Sequence, residues 1–164
     1  MRAHIPDFSR RSLYVGWLTD ALLELAAYAR TRNVELVFES IMRYINNYFN
    51  TVPETVDYLR GLAQPNLRIH IDTHSMIVED PDLPAAVRYC GGDIGYVHFS
   101  DSNRHFPGGG NVDFKPLIRA LADVGYNGTI GCECVPWPDD VQCARLGLEY
   151  LRALETCVKV ESCR

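Results

Sequence analysis

Four apolar stretches of this chain end in a residue able to ligate a metal or carry a proton. VELVFE ends in Glu39, LRIHID in Asp72, IGYVHF carries His98 next to its end, and GTIGCE ends in Glu133. Taken singly, each is an ordinary polar residue at the end of a strand. Four at equivalent positions ask for a joint role. In a parallel sheet, C-terminal strand ends share one edge, where α/β folds build their sites. Three carboxylates and one imidazole suit a hard or borderline divalent cation such as Mn²⁺, Mg²⁺ or Co²⁺, with positions left open for substrate. A cation held this way polarises a carbonyl and an adjacent hydroxyl, which acidifies the C–H between them. Two glutamates on different strands, Glu39 and Glu133, can then act as base and acid on opposite faces. The chemistry expected is proton transfer next to a carbonyl. After His98 the chain opens into a polar, glycine-rich loop with Asp101, Asn103, Arg104 and Gly108, Gly109 and Gly110.

The elements that must position these groups follow from periodicity. Residues 1–17 give no clear element. Apolar residues recur at helical spacing over 18–32, with Thr19 or Asp20 as N-cap. Strands are predicted over 34–39, 67–72, 94–99 and 128–133. Helices follow over 51–63, where Pro53 sits harmlessly in the first turn, and over 82–90, 114–124 and 139–155. The stretch THSMIVEDP (73–81) reads as a loop, and 156–164 as a tail. Four β-loop-α units about 30 residues apart imply parallel strands joined by right-handed crossovers. The fold class is therefore α/β, in one domain over 1–164 whose repeating units occupy 18–155.

Length and composition bound the function. With 164 residues, 47% of them hydrophobic and 23% charged, the chain is ordinary for a single globular core. The net charge of −5, with 16 scattered Lys and Arg, argues against a nucleic-acid partner. No apolar run is long enough to span a membrane or serve as a signal peptide, so a cytoplasmic protein is expected. The cysteines Cys90, Cys132, Cys134, Cys143, Cys157 and Cys163 form no CxxC pair and are read as reduced thiols. Cys132 and Cys134 are expected on opposite faces of a strand, a poor zinc chelate. His70 falls two residues before Asp72, hence on the same side but deeper, in a core or supporting role. Trp137 either covers the pocket mouth or is a structural loop aromatic, and His105 and Phe106 lie in the loop after His98. The three glycines do not form a dinucleotide fingerprint.

Four strings carry a family resemblance: FESIMRYINNYFNTV (38–52), IDTHSM (71–76), VHFSDSNRHFPGGGNVDF (97–114) and GCE (131–133). Together they resemble sugar isomerase/epimerase proteins of the xylose-isomerase-like TIM-barrel superfamily, nearest the D-tagatose/D-psicose (ketose) 3-epimerase type. The resemblance runs in register over 18–155. It implies Glu39, Asp72, His98 and Glu133 as metal ligands, with Mn²⁺ first and Co²⁺ or Mg²⁺ as alternatives. It also implies Glu39 and Glu133 as the catalytic pair, one removing and one returning the C3 proton through a cis-enediolate. Arg104 is implied as a substrate contact, its rigid guanidinium fork matched to a sugar hydroxyl or oxyanion. Two positions depart from the pattern. A substrate-touching glutamate six residues after the first ligand is replaced by Ile45. A histidine three residues after the aspartate is replaced by Ser75, with His74 one residue away; both stand as substrate-binding candidates.

The resemblance covers only the C-terminal half of a (βα)8 barrel. A half-barrel of four units exposes two edge strands and, by expectation, an apolar interior. Three arrangements accommodate it: a fragment of a longer chain, a dimer of halves, or association with a separate N-terminal half. The function expected is a metal-dependent isomerase or epimerase acting on a small ketose or sugar phosphate. Inosose dehydratase-like or hydroxypyruvate isomerase-like activity, or an inactive half-barrel, are the alternatives. An endonuclease IV-type activity would need more than five histidines and a basic groove.

Overall fold

The computed structural model describes residues 4–162, with side chains to Val158; Cys163 lies outside them. Four strands pair in parallel in the order β1 (Leu36–Glu39), β2 (Leu67–Asp72), β3 (Ile94–Phe99) and β4 (Ile130–Cys132). The helices are α1 (Arg11–Arg30), α2 (Val52–Leu62), α3 (Thr73–Glu79), α4 (Leu83–Cys90), α5 (Phe114–Asp123) and α6 (Asp140–Ser162). This is four consecutive βα units of a TIM-barrel-like fold, as the alternation predicts. The residues between strands and helices supply the capping that the sequence suggested. Thr51 accepts from the Glu54 N–H and Asp82 from the Ala85 N–H.

Alternate strand residues face the helices and form the core. Leu36, Phe38, Ile69, Ile71, Ile94, Val97, Phe99 and Ile130 pack with Val56, Leu59, Val87, Phe114 and Leu117 from the helices. The opposite face differs from the apolar interior expected. Glu35 pairs with Arg68 at 3.0 Å, and His70, Tyr96 and His98 pack ring against ring above them. Val37 is the exposed apolar side chain there. Charged and hydrogen-bonding groups occupy this face.

The register between β2 and β3 carries a bulge. Ile69 pairs with Ile94, but His70 pairs with Tyr96, so Gly95 is the extra residue. Ile94 is buried in the core while Tyr96 lies on the His70 side. The shift is what brings His98 opposite Asp72. Unshifted pairing would place Val97 there instead. Only glycine fits the bulge: a Cβ at Gly95 would lie 2.7 Å from Val37 Cγ1 and 2.9 Å from Arg68 Cβ.

Several boundaries depart from expectation. The first helix begins at Arg11, not near residue 18, after a short 3₁₀ turn, Phe8–Arg10, capped by the Asp7 carboxylate. Its early turns carry exposed Leu13 and Trp17, so no one-sided apolar stripe announces them. Thr19 lies inside this helix, where its hydroxyl bonds the Tyr58 hydroxyl at 2.8 Å. The segment after Asp72 is helix α3 rather than loop, because Asp72 itself caps it and Met76 is buried against the core. The last helix extends through the expected tail to Ser162.

Cys132 and Cys134 are not on opposite faces. Residues two apart in an extended chain share a face, and the two thiols lie close together with Cys143 alongside, the Cys134 thiol donating to the Phe99 carbonyl at 3.8 Å. The five cysteines among the described residues are all free.

Replacing Gly95 with alanine should cost about 1–3 kcal/mol in urea unfolding, the usual penalty of overpacking. Adding Val37→Ala should recover part of that loss by removing the nearer contact. Wild-type stability in Gly95→Ala would refute the bulge argument.

Candidate metal and active site

The C-terminal strand ends converge as the sequence implied. Glu39 closes β1, Asp72 closes β2, His98 lies one residue before the end of β3, and Glu133 follows β4 directly. One ligand atom from each lies within 4.8 Å of the others. With Ile41, Ile45, Ser75 and Arg104, the three carboxylates line an open cleft of about 200 Å³.

Each of these four side chains is held by its element. Asp72 accepts from the His74 N–H at 2.8 Å, which fixes its carboxylate at the start of α3. Just beyond it, the Thr73 hydroxyl donates to the Ser100 carbonyl and accepts from the Ser100 N–H. The end of β2 is thereby tied to the end of β3, beside His98; this tie was not read from the sequence, where a threonine after an aspartate carries no distinctive signal. His98 has room for its ring because Gly131 stands beside it. A Cβ at Gly131 would lie 2.7 Å from the Tyr96 hydroxyl and 3.1 Å from His98 Cδ2. Glu133 receives the Arg104 guanidinium at 2.9 Å.

The glycine-rich loop is organised from within by buried Asp101. Its carboxylate accepts from the N–H groups of Ser102, Gly108 and Val112; burial raises its pKa, but these bonds together outweigh it and hold the pKa below the usual carboxylate value. A Cβ at Gly110 would collide with the same carboxylate, so the loop can wrap Asp101 only with glycine there. Arg104 adopts a left-handed backbone (φ 61°). Its N–H bonds the Asp101 carbonyl, and its own carbonyl accepts from Val135 at 2.7 Å. The loop after β3 and the segment after β4 are therefore joined at Arg104, which aims its side chain at Glu133.

Charge accumulates in the cleft. Burial, then the nearby carboxylates of Asp72 and Glu133, raise the pKa of Glu39 to about 7, against a smaller lowering by Arg104. Burial likewise raises Asp72. Burial and neighbouring His98 push His70 down to about 4. The residues fit a divalent cation on this geometry. Three carboxylates share the cleft with a single guanidinium, and His98 Nδ1 is buried with no hydrogen-bond partner. That nitrogen lies 3.8 Å from Glu133 Oε2, too far for a hydrogen bond, yet spanned by two metal–ligand bonds of about 2.0–2.2 Å.

The other candidates separate. Ser75 and Ile45 line the cleft, whereas His74 does not; its position one residue earlier on α3 turns it aside. Trp137 stacks on His105, 5.0 Å between centroids and 7° between planes, outside the cleft lining. Phe106 is buried.

The sequence profile described as xylose isomerase-like TIM barrel matches residues 9–154. The chain belongs to this family. It is similar to the L-ribulose 3-epimerase of Mesorhizobium japonicum, 37% identical over 108 residues, covering 66% of this chain and 36% of the relative. It is 32% identical over 114 residues to the D-psicose 3-epimerase of Ruminiclostridium cellulolyticum, covering 70% of this chain and 39% of that protein. A solved L-ribulose 3-epimerase structure superposes with a TM-score of 0.84 at 26% identity, over 88% of this chain and 55% of that one. The chain thus spans about half or less of the length of these relatives. Among the described residues no helix is long and apolar enough to cross a membrane.

The Glu39 shift fixes a pH dependence. Its carboxyl holds a proton more tightly folded (about 7) than unfolded (4.5), so this group's contribution to stability is present below pH 4.5 and is lost as pH rises through about 7. The metal-free protein should therefore lose melting temperature between about pH 5 and 7, and added Mn²⁺ should reverse the loss most strongly at the upper end, where it displaces a proton. Equal Mn²⁺ stabilisation at both ends would contradict the cluster's electrostatics.

Proposed function

We propose that this chain carries the metal and proton-transfer half of a ketose 3-epimerase. The observation that carries the reading is the convergence of Glu39, Asp72, His98 and Glu133 within 4.8 Å in one cleft. The relatives named L-ribulose and D-psicose 3-epimerase support the substrate class, a small ketose. Three oxygen ligands and one nitrogen favour Mn²⁺, with Co²⁺ or Mg²⁺ as alternatives. A bound divalent cation would polarise the ketose carbonyl and the neighbouring hydroxyl, acidifying the C–H between them.

The remaining work falls to side chains. Glu39 and Glu133 stand on the two outer strand ends, with Asp72 and His98 between them. A ketose lying across the cleft places its C3 between the two glutamates, one on each face. One removes the C3 proton and the other returns a proton to the opposite face. A carboxyl with a pKa near 7, as at Glu39, can give or take a proton at neutral pH with little penalty. Arg104, already bonded to Glu133, is within the cleft to hold a sugar hydroxyl or the developing oxyanion. Ile45 and Ser75 supply a less charged wall, leaving Arg104 as the principal grip on the polar end of the sugar.

Both edge strands, β1 and β4, need partners to close a barrel around this cleft. Further residues of a longer chain, a second copy, or a separate N-terminal half would supply the opposite wall.

Incubating the Mn²⁺-loaded chain with D-psicose or L-ribulose in D₂O should place deuterium at C3. Glu133→Gln should slow this exchange by about 10²–10⁴-fold. A sample that binds metal but exchanges no C3 proton in any ketose would overturn the reading for this chain.

A further inference from the structure

The cleft has a second layer that the epimerase reading does not use. His70 precedes Asp72 by two residues on β2, so it projects from the same face one step deeper. Its β1 partner in the parallel register is Glu39. Its side chain is nine-tenths buried, and its Nε2 has no hydrogen-bond partner. The His70 ring meets the His98 ring edge-on at 4.3 Å, and His70 Nδ1 lies 3.9 Å from Glu39 Oε2. One ligand atom each from Glu39, His70 and His98 falls within 4.8 Å of the others.

We infer that Glu39, His70 and His98 form a second, deeper cation position that selects a nitrogen-preferring metal such as Zn²⁺. The inference rests on the reading of the upper four residues as a metal site, since Glu39 and His98 belong to both sets. Two imidazoles and one carboxylate make the ligand set that borderline metals prefer, while three carboxylates and one imidazole suit Mn²⁺ or Mg²⁺. The 3.9 Å separation across His70 and Glu39 is spanned by two bonds of about 2.0–2.2 Å. Nδ1 is the His70 nitrogen turned toward Glu39, so it would ligate the cation while Nε2 carries the proton of the neutral ring. Glu39 could bridge two cations, but a given His98 nitrogen can ligate only one, so the two positions compete and the chain holds one cation at a time. Its depth in the cleft depends on the metal: the upper set includes Asp72 and Glu133, the lower set replaces them with His70. A cation in the lower position leaves Glu133 free of the metal and lies farther from a ketose in the cleft, so Zn²⁺ occupies the protein without supporting proton exchange.

The test measures binding, not activity. Full-length metal-free protein is titrated with Zn²⁺ and with Mn²⁺ by calorimetry, as wild type, His70→Leu, His70→Gln and Asp72→Asn, each checked for native circular dichroism. His70→Leu and His70→Gln should weaken Zn²⁺ by at least about tenfold while leaving Mn²⁺ within about twofold, and Asp72→Asn should do the reverse. Co²⁺ should show strong visible absorption from a low-coordinate site in wild type and lose it in His70→Leu. Zn²⁺ and Mn²⁺ should compete at one equivalent per chain. Unchanged Zn²⁺ affinity in folded His70 variants, or an equal loss of both metals, would overturn the deeper position. Unchanged Mn²⁺ affinity in Asp72→Asn would instead overturn the upper site.

Discussion

One inserted residue decides what the edge of this sheet presents. The bulge at Gly95 shifts β3 against β2 so that His98, and not Val97, stands opposite Asp72. Side chains alternate faces along a strand, so a shift of one residue exchanges the core face for the open one. Upstream of the bulge Ile94 packs into the core; downstream, Tyr96 and His98 turn to the open face and Val97 and Phe99 take over the core. The tight fit of Gly95 against Val37 and Arg68 holds the shift in place, and the ion pair of Arg68 with Glu35 braces the same layer. His98, and through β4 the segment leading to Glu133, is aligned from this point, while Glu39, His70 and Asp72 are placed by the unshifted β1–β2 register.

On that alignment the site is built by crowding like charges. The three carboxylates among these four side chains, within 4.8 Å of one another, repel when ionised, and the raised pKa of Glu39 reflects its burial first and that repulsion second. Two counterweights are present in the chain: Arg104 on Glu133, and the α3 amide of His74 on Asp72. They leave net negative charge and an unpartnered histidine nitrogen, the condition a divalent cation relieves. The loop that delivers Arg104 is shaped by Asp101, so its glycines serve the site by letting the backbone close around one buried carboxylate.

Much of this was legible in the chain itself. Four strands ending in Glu39, Asp72, His98 and Glu133 imply a parallel sheet with a shared edge, and the structure brings those four together. The order and type of the βα units follow from apolar periodicity and from caps such as Thr51 and Asp82. What escaped has physical causes. Helix α3 is hidden in the sequence because its N-cap, Asp72, doubles as a site carboxylate. The first turns of α1 carry exposed apolar side chains and no stripe. The bulge depends on a close approach of Gly95 to residues 58 and 27 positions earlier in the chain, Val37 and Arg68, which no local pattern records. The polar character of the open face, with Glu35, Arg68, His70 and His98, departs from the packed interiors of closed barrels. The thiols of Cys132 and Cys134 share a face for the plain reason that they are two residues apart.

The central claim is that these four strand ends bind one divalent cation in the cleft. Anomalous scattering from a crystal of the full chain grown with Mn²⁺ tests it most directly. The account predicts a single strong peak within coordinating distance of Glu39, Asp72, His98 and Glu133. A peak held by other carboxylates, with none at this cleft in crystals whose metal content is confirmed, would contradict it.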